Sequence, residues 1–260
     1  MSMSCTVLHA PYFGRSLFEI KPGTIQVWDA FGSVDPHLFR DFYTILSEEE
    51  QIRAQRFCAE WHRVHFVTCR GWLRLLLSAY LGQSPEEVEL VTGEYGKPRL
   101  KIHPPDRGLV FNISHAGERK VFAFGMDCML GIDIEQSRRI ARLDGMIDRI
   151  CSEEERSYWR LLPVERQAEY FFSIWVRKEA IIKAQGQGLS LGMQHCELSA
   201  DLGHALRLPN LCGSADNWSL QGLDYSDRYQ GAIAVSVPFT KLERQALPEK
   251  LLLNLLQLTR

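Results

Sequence analysis

The feature that most constrains this chain is the stretch 174–189, Ile-Trp-Val-Arg-Lys-Glu-Ala-Ile-Ile-Lys-Ala-Gln-Gly-Gln-Gly-Leu, which sets charge inside an apolar helix. At 3.6 residues per turn, Trp175, Glu179 and Lys183 fall on one stripe, with an aromatic, an acid and a base one above another. Phe171, Phe172, Ile181 and Ile182 on the same helix require burial. A carboxylate and an ammonium beside them are costly unless paired, hydrated or bound to something. Two readings follow: a salt bridge at the edge of the core, or a site. Gly186 and Gly188 end the helix, because both are free to adopt positive φ.

With 260 residues, 45% of them hydrophobic, the chain has enough material for one large domain or two ordinary ones. Its net charge of -2 gives no global basic field for nucleic acid, so any anion site must come from local clustering. No run reaches the length of a membrane span and the N-terminus lacks a basic segment followed by an apolar one. A cytoplasmic protein without a membrane partner is therefore expected. The seven cysteines are odd in number, scattered and never spaced C-x-x-C, which fits reduced thiols better than disulfides or zinc.

In chain order, alternation at 24–30 predicts a half-buried strand. Ser47 with Glu50 is a capping box that opens a helix, and the apolar spacing from about 60 to 81 predicts a long one stopped by Gly82. Arg56, Arg63, Arg70 and Arg74 are spaced by 7, 7 and 4. On an unbroken helix they stay within about 40° of one another. They form either an anion-binding stripe or a solvated face, and a break near Ala59 or Glu60 would move Arg56 off the line. His62 and His65 have no third ligand and read as ordinary histidines. Ser84-Pro85-Glu86-Glu87 opens a turn, and 88–91 reads as a strand. The turn Glu94-Tyr95-Gly96-Lys97-Pro98 then holds Lys97 on a rigid loop. Strands at 109–114 and 120–126 make a hairpin with Asn112, Ser114 and His115 at its end, where local bonding can fix an imidazole.

Gly131-Ile132-Asp133-Ile134-Glu135 follows. In a strand, Asp133 and Glu135 project from one face while Ile132 and Ile134 go to the core. Two adjacent carboxylates repel unless a cation sits between them, and hard oxygen ligands suit Mg²⁺; the alternative is an exposed edge strand. Ser152 with Glu155 caps a helix that Pro163 ends, and the long helix runs from about 164 to 184. Two strands are expected at 218–225 and 229–237. The tail from Lys241 reads as a leucine-rich amphipathic helix broken near Pro248. Similar elements recur in comparable order in residues 1–126 and 127–260, which points to two similar α/β halves of an α+β fold.

Four blocks taken together resemble the Sfp-type phosphopantetheinyl transferases: Tyr95-Gly96-Lys97-Pro98, Phe111-Asn112-Ile113-Ser114-His115, Gly131-Ile132-Asp133-Ile134-Glu135, and Trp175-x-x-Lys178-Glu179-Ala180-x-x-Lys183 closed by Gly186-x-Gly188-Leu189. With the arginine-rich helix, they span about residues 47–190. The resemblance implies an enzyme that moves the 4′-phosphopantetheine arm of coenzyme A to a serine of an apo acyl or peptidyl carrier protein, releasing adenosine 3′,5′-bisphosphate. It implies a pseudo-twofold fold with the active site in the cleft between the halves, and a monomer. Asp133, Glu135 and Glu179 would hold Mg²⁺, with Mn²⁺ as a substitute. Lys183 and His115 would contact phosphates, and Lys97 with Ser114 would sit near the adenylate end. Lys178 and the arginines Arg53, Arg56, Arg63, Arg70 and Arg74 are also expected among the coenzyme A contacts. Glu179, Lys183 and His115 are the expected catalytic groups, Glu179 being ionised at neutral pH beside the cation and Lys183. Glu50 and Arg53 stand where some members carry lysines for the 3′-phosphate, and His62 where an acid is frequent. The rival reading is a non-catalytic module that binds coenzyme A or a carrier, although such a relic has no use for three convergent carboxylates and Lys183. A nucleotide phosphotransferase is disfavoured because no G-x-x-x-x-G-K-[ST] occurs.

Overall fold

Caps written in the sequence start most of the helices. The computed structural model describes residues 18–32, 34–101, 108–138, 140, 143–188, 192–225 and 228–247. After strand β1 (Thr24–Phe31), Asp35 accepts hydrogen bonds from the His37 and Leu38 amides and opens α1 (Pro36–Thr44), with Pro36 at its first turn. The Ser47/Glu50 box opens α2 (Glu48–Gln55), and Ser152/Glu155 does the same for α5 (Glu153–Leu161). The long helix α3 (Glu60–Leu81) is buried from Val67 to Leu77 and ends at Gly82, whose φ of 68° needs no Cβ. It meets α1 at Gly71, where an added Cβ would lie 2.3 Å from Phe42 Cγ. Only glycine lets the two helices approach there.

By contacts the chain falls into two compact units, one gathering Ala30–Leu90 and the other Ile20–Asp29 with Val91–Gln245. The second unit carries the sheets. Short strands β2 (Leu90–Thr92) and β3 (Pro98–Leu100) pair with each other, and β4 (Leu109–Ala116) pairs antiparallel with β5 (Arg119–Met126). A strand β6 (Leu130–Gln136) follows, then helices α4 (Leu143–Ile150), α5 and α6 (Val164–Gln185). The remainder is a small pair, β7 (Glu197–Leu198) and β8 (Ala205–Arg207), then β9 (Ser219–Asp224), β10 (Tyr229–Val235) and β11 (Lys241–Ala246). Two larger sheets result, of order β11-β1-β5-β4 and β6-β10-β9.

The three-stranded sheet is covered on both faces. On one, Ile132, Ile134, Leu223, Ile233 and Val235 pack against Ile25, Val27, Val121 and Ala123 of the other sheet. On the opposite face, Ala232, Ala234 and Leu220 pack under α6 with Ile174, Ile181 and Phe171. This is the alternation expected for β6, and it turns Gly131, Asp133 and Glu135 towards α6. Gly131 shows how tight the seat is: an added Cβ would lie 1.9 Å from the Ala180 carbonyl oxygen and 2.5 Å from the Ala184 nitrogen. The glycine that begins the Gly-Ile-Asp-Ile-Glu block is there because a helix backbone touches the strand.

A mixed α+β fold is therefore observed. Among the described residues no helix is long and apolar enough to cross a membrane. Three expectations need correction. The tail from Lys241 begins as strand β11, not as a helix, because it joins the edge of a sheet beside β1: Lys241 N donates to Gly23 O, and Gln26 Nε2 donates to Glu243 at 2.8 Å. The remainder of the expected tail helix, and Leu189, lie outside the described residues. The strand read at 88–91 starts only at Leu90, since Val88 and its neighbours close the Pro85–Glu87 turn. Third, α1 and α4 form where no helix was read, and α1 had a visible signal in Asp35-Pro36.

Candidate active site

Asp133 is the centre of a hydrogen-bonded cluster built by three elements. It is 4% exposed. Its Oδ1 accepts from Lys183 Nζ on α6 at 2.6 Å and from Ser114 Oγ on β4 at 2.9 Å. Lys183 also donates to Ser114 Oγ at 2.8 Å. The other carboxylate oxygen, Oδ2, is buried and has no hydrogen-bond partner among the described residues. An orphaned anionic oxygen is expensive, and such atoms mark a missing partner.

Strand β4 is fitted to the open edge of β6 by side chains, not by a backbone ladder. Asn112 Oδ1 accepts from Ile132 N at 2.8 Å and Ser114 Oγ accepts from Ile134 N at 3.3 Å. The two residues satisfy β6 amides that face away from β10, which a buried edge requires. The Asn-x-Ser pair of the sequence is thereby explained: it splices two sheets and delivers a hydroxyl to Asp133. His115, next along β4, is exposed, near enough to the cluster to feel the charges of Lys183 and Asp133. Partial desolvation of the ring, then the charges of Lys183 and Lys120, lower its pKa from the usual histidine value.

The carboxylates crowd one another. Glu135 and Glu179 both sit above the usual carboxylate pKa, first because they are desolvated and then because Asp133 is near. Glu179 is pushed up to about 7, against the pull of Lys183, with Glu135 adding to the rise. Burial and two acid neighbours outweigh the one lysine here; the expectation that Glu179 is ionised at neutral pH applies to the residue with Mg²⁺ beside it. Trp175 lies close enough to Glu135 to pull its carboxyl pKa down a little, so one stripe of α6 faces the β6 acids. Among the described residues, no group of three or more His, Cys, Asp or Glu side chains is arranged to hold a metal ion as it stands. Lys183, seated on Asp133, takes a cation's place.

Several expected residues lie elsewhere. Lys178, one position from Glu179, is wholly buried on the far side of α6. Its ammonium donates to Glu155 Oε2 (2.5 Å), Ile150 O (2.7 Å) and Met193 O (3.2 Å), so all three protons are used inside the protein and none is left for coenzyme A. Glu155, read in the sequence only as a cap, also accepts from the Ser152 and Leu198 amides. The arginines divide. Arg74, 2% exposed, donates to Glu50 Oε2 at 2.6 Å and to the Pro85 and Val88 carbonyls. Arg70 lies 3.7 Å from the same carboxylate. Both neutralise the half-buried capping acid. The chain breaks between α2 and α3, so Arg56 is the exposed C-cap of α2 and leaves the stripe. Arg53 lies 5.2 Å over the Phe66 ring, and Arg63 pairs with Glu60. Lys97 donates to two main-chain carbonyls.

Two family models match the chain: "4′-phosphopantetheinyl transferase, N-terminal" over residues 33–125 and "4′-phosphopantetheinyl transferase superfamily" over residues 129–234. Among named relatives, the 4′-phosphopantetheinyl transferase HetI of Nostoc sp. is 33% identical over 197 residues, 76% of this chain and 81% of its own length. The 4′-phosphopantetheinyl transferase Sfp of Bacillus subtilis is 30% identical over 150 residues, 58% of this chain and 64% of its own. AcpT of Escherichia coli, of the same name, is 33% identical over 141 residues, covering 49% and 69%.

Proposed function

We propose, from the premise that this chain belongs to the 4′-phosphopantetheinyl transferase family, that the Asp133 cluster is where it moves the phosphopantetheine arm of coenzyme A onto a carrier-protein serine. The observation that carries the assignment of the site is the facing of Asp133 and Glu135 on β6 by Glu179 and Lys183 on α6, with one buried carboxylate oxygen left unsatisfied. Such a donor set fits Mg²⁺, or Mn²⁺ in its place: all oxygen, anionic, and destabilised by its own charge. Asp133, Glu135 and Glu179 would be its ligands. What bound Mg²⁺ supplies is a compact positive charge at the pyrophosphate, which favours attack at phosphorus and steadies the departing bisphosphate.

The residues themselves have separable tasks. In the transfer, the carrier serine oxygen bonds to the phosphorus that bears pantetheine, and the bond from that phosphorus to the bridging oxygen breaks. The electron pair leaves with adenosine 3′,5′-bisphosphate. Glu179, facing the β6 acids from α6, accepts the serine proton. Lys183, beside Asp133, would add its charge to the developing phosphate anion. His115 offers a hydrogen bond to a phosphate oxygen.

A division into similar halves, 1–126 and 127–260 with coenzyme A between them, belongs to the same reading. It is supported by the meeting of the two family models near residue 126. A monomer at work in the cytoplasm completes it. Chromatography of the reaction tests the chemistry: adenosine 3′,5′-bisphosphate should appear only when apo carrier, coenzyme A and Mg²⁺ are all present. Release without a carrier would make the protein a hydrolase instead.

The exposed arginines give a prediction of their own. Neutralising Arg53, Arg56 and Arg63 one at a time should raise KM for coenzyme A by about tenfold at one position or more, with 3′-dephospho-coenzyme A affected less. Equal losses for both substrates at all three positions would leave these side chains a solvated face.

A further inference from the structure

The loop that carries Lys97 does not present its ammonium to solvent. Nζ donates to the Leu130 carbonyl at 3.0 Å and to the Ala184 carbonyl at 2.8 Å. Leu130 opens β6, three residues before Asp133, and Ala184 lies in the last turn of α6, next to Lys183. The final carbonyls of a helix lack intrahelical partners and carry the negative end of its dipole, so a cation there is doubly favoured. The two glycines after α6 make room for the loop. Gly186, at φ +79°, would place a Cβ 3.3 Å from Lys97 Cδ, and Gly188, at φ +63°, would place one 3.7 Å from Tyr95 Cβ. Burial lowers the ammonium pKa to about 8, and the titratable group facing it is the Cys128 thiol. Two of the three ammonium protons are thus spent on main-chain carbonyls at the junction of β6 and α6.

We propose that Lys97 is a positioning residue, whose ammonium clasps the start of β6 to the last turn of α6 and thereby sets the spacing of Asp133 from Lys183 and Glu179. The same clasp seats the Tyr95-Gly96-Lys97 turn on Gly186 and Gly188, so that the first and last of the four sequence blocks form one construction. The consequence for turnover rests on the function proposed above; the clasp itself does not.

The test uses Lys97→Met and Lys97→Arg in the full chain. Methionine keeps the apolar stem and removes the donor, whereas arginine keeps a cation that can bridge both carbonyls. Lys97→Met should lower kcat about ten- to a hundredfold, the scale of a displacement near 1 Å at the reacting groups. It should weaken coenzyme A and 3′-dephospho-coenzyme A by the same factor, and Lys97→Arg should recover most of the kcat. In the wild type, the Lys97 side-chain ammonium resonance should keep its shift when coenzyme A is added. A Lys97→Met loss confined to coenzyme A, or an ammonium signal that moves on binding, would overturn the proposal and make Lys97 a phosphate contact. Unchanged kcat and unchanged urea midpoint in Lys97→Met would overturn it as well. If the wild type transfers nothing, the proposed function has failed, and the midpoints and the ammonium signal still judge the clasp.

Discussion

Glu179→Gln is expected to lose turnover by about 10²- to 10⁴-fold and, in the same protein freed of metal, to gain stability at neutral pH. The two effects have one cause. Glu179 is held among Asp133 and Glu135 in a desolvated place that lifts its carboxyl to about 7. Its folded pKa is above its unfolded value of 4.5, so below 4.5 the group is neutral in both states and costs nothing. Between 4.5 and 7 the unfolded chain releases a proton that the folded protein keeps, and stability falls as pH rises. Above 7 the cost is fully present, on the order of 1–2 kcal/mol after allowance for solvent screening. Gln removes it. Urea unfolding in chelator should therefore show the variant more stable than wild type at pH 8 and equal at pH 4. Asp133→Asn should lose transfer as thoroughly, because the amide keeps an acceptor oxygen for Lys183 and Ser114 but removes the charge and replaces the second carboxylate oxygen with a donor. Should His115→Ala lose kcat at constant coenzyme A affinity while Glu179→Gln recovers in excess Mg²⁺, His115 is the base and Glu179 only a ligand.

Lys178→Met should be the most damaging single change to the fold. It strips a wholly buried ammonium from Glu155, Ile150 O and Met193 O, leaving a carboxylate 3% exposed without its cation. Removing one member of a buried pair costs about 3–5 kcal/mol, much of the 5–15 kcal/mol that holds a typical domain. The contact joins the end of α4, the cap of α5, the middle of α6 and the turn before β7, so several elements loosen together. Lys178→Met/Glu155→Gln should recover part of the loss, since no buried charge is left unpaired, although the single amide oxygen can accept from only one of the Ser152 and Leu198 amides. Urea midpoints of the two single variants and the double measure the coupling. A Lys178→Met midpoint within about 0.5 kcal/mol of wild type would show the pair to be idle.

Glu179 and Lys178, neighbours in the chain, mark what could be read from the sequence and what could not. The stripe Trp175, Glu179, Lys183 follows from helical spacing alone, and the alternation of β6 gave the shared face of Asp133 and Glu135. Both are local. Spacing also says that Lys178 is on a different side of the helix from Glu179, but not that this side is a core with an acid in it, because Glu155 comes from another helix. The same holds for the arginines: periodicity aligned Arg70 and Arg74, yet their partner is Glu50, whose capping role was visible and whose second role was not. Lys97 bonds Ala184 across 87 residues, beyond any window of sequence pattern. The reading of 241–246 as helix failed for a similar reason, since a sheet edge supplied by β1 decided the matter. Short segments take the structure their neighbours offer.

The central claim is that the Asp133 cluster makes this chain a working transferase, and the intact mass of a carrier protein tests it most directly. An apo acyl or peptidyl carrier, incubated with the protein, coenzyme A and Mg²⁺, should gain one phosphopantetheine on a single serine, and should gain none with the Asp133→Asn protein. A carrier that stays apo with the wild type, while the protein still binds coenzyme A, would contradict the claim and leave a binding module in its place.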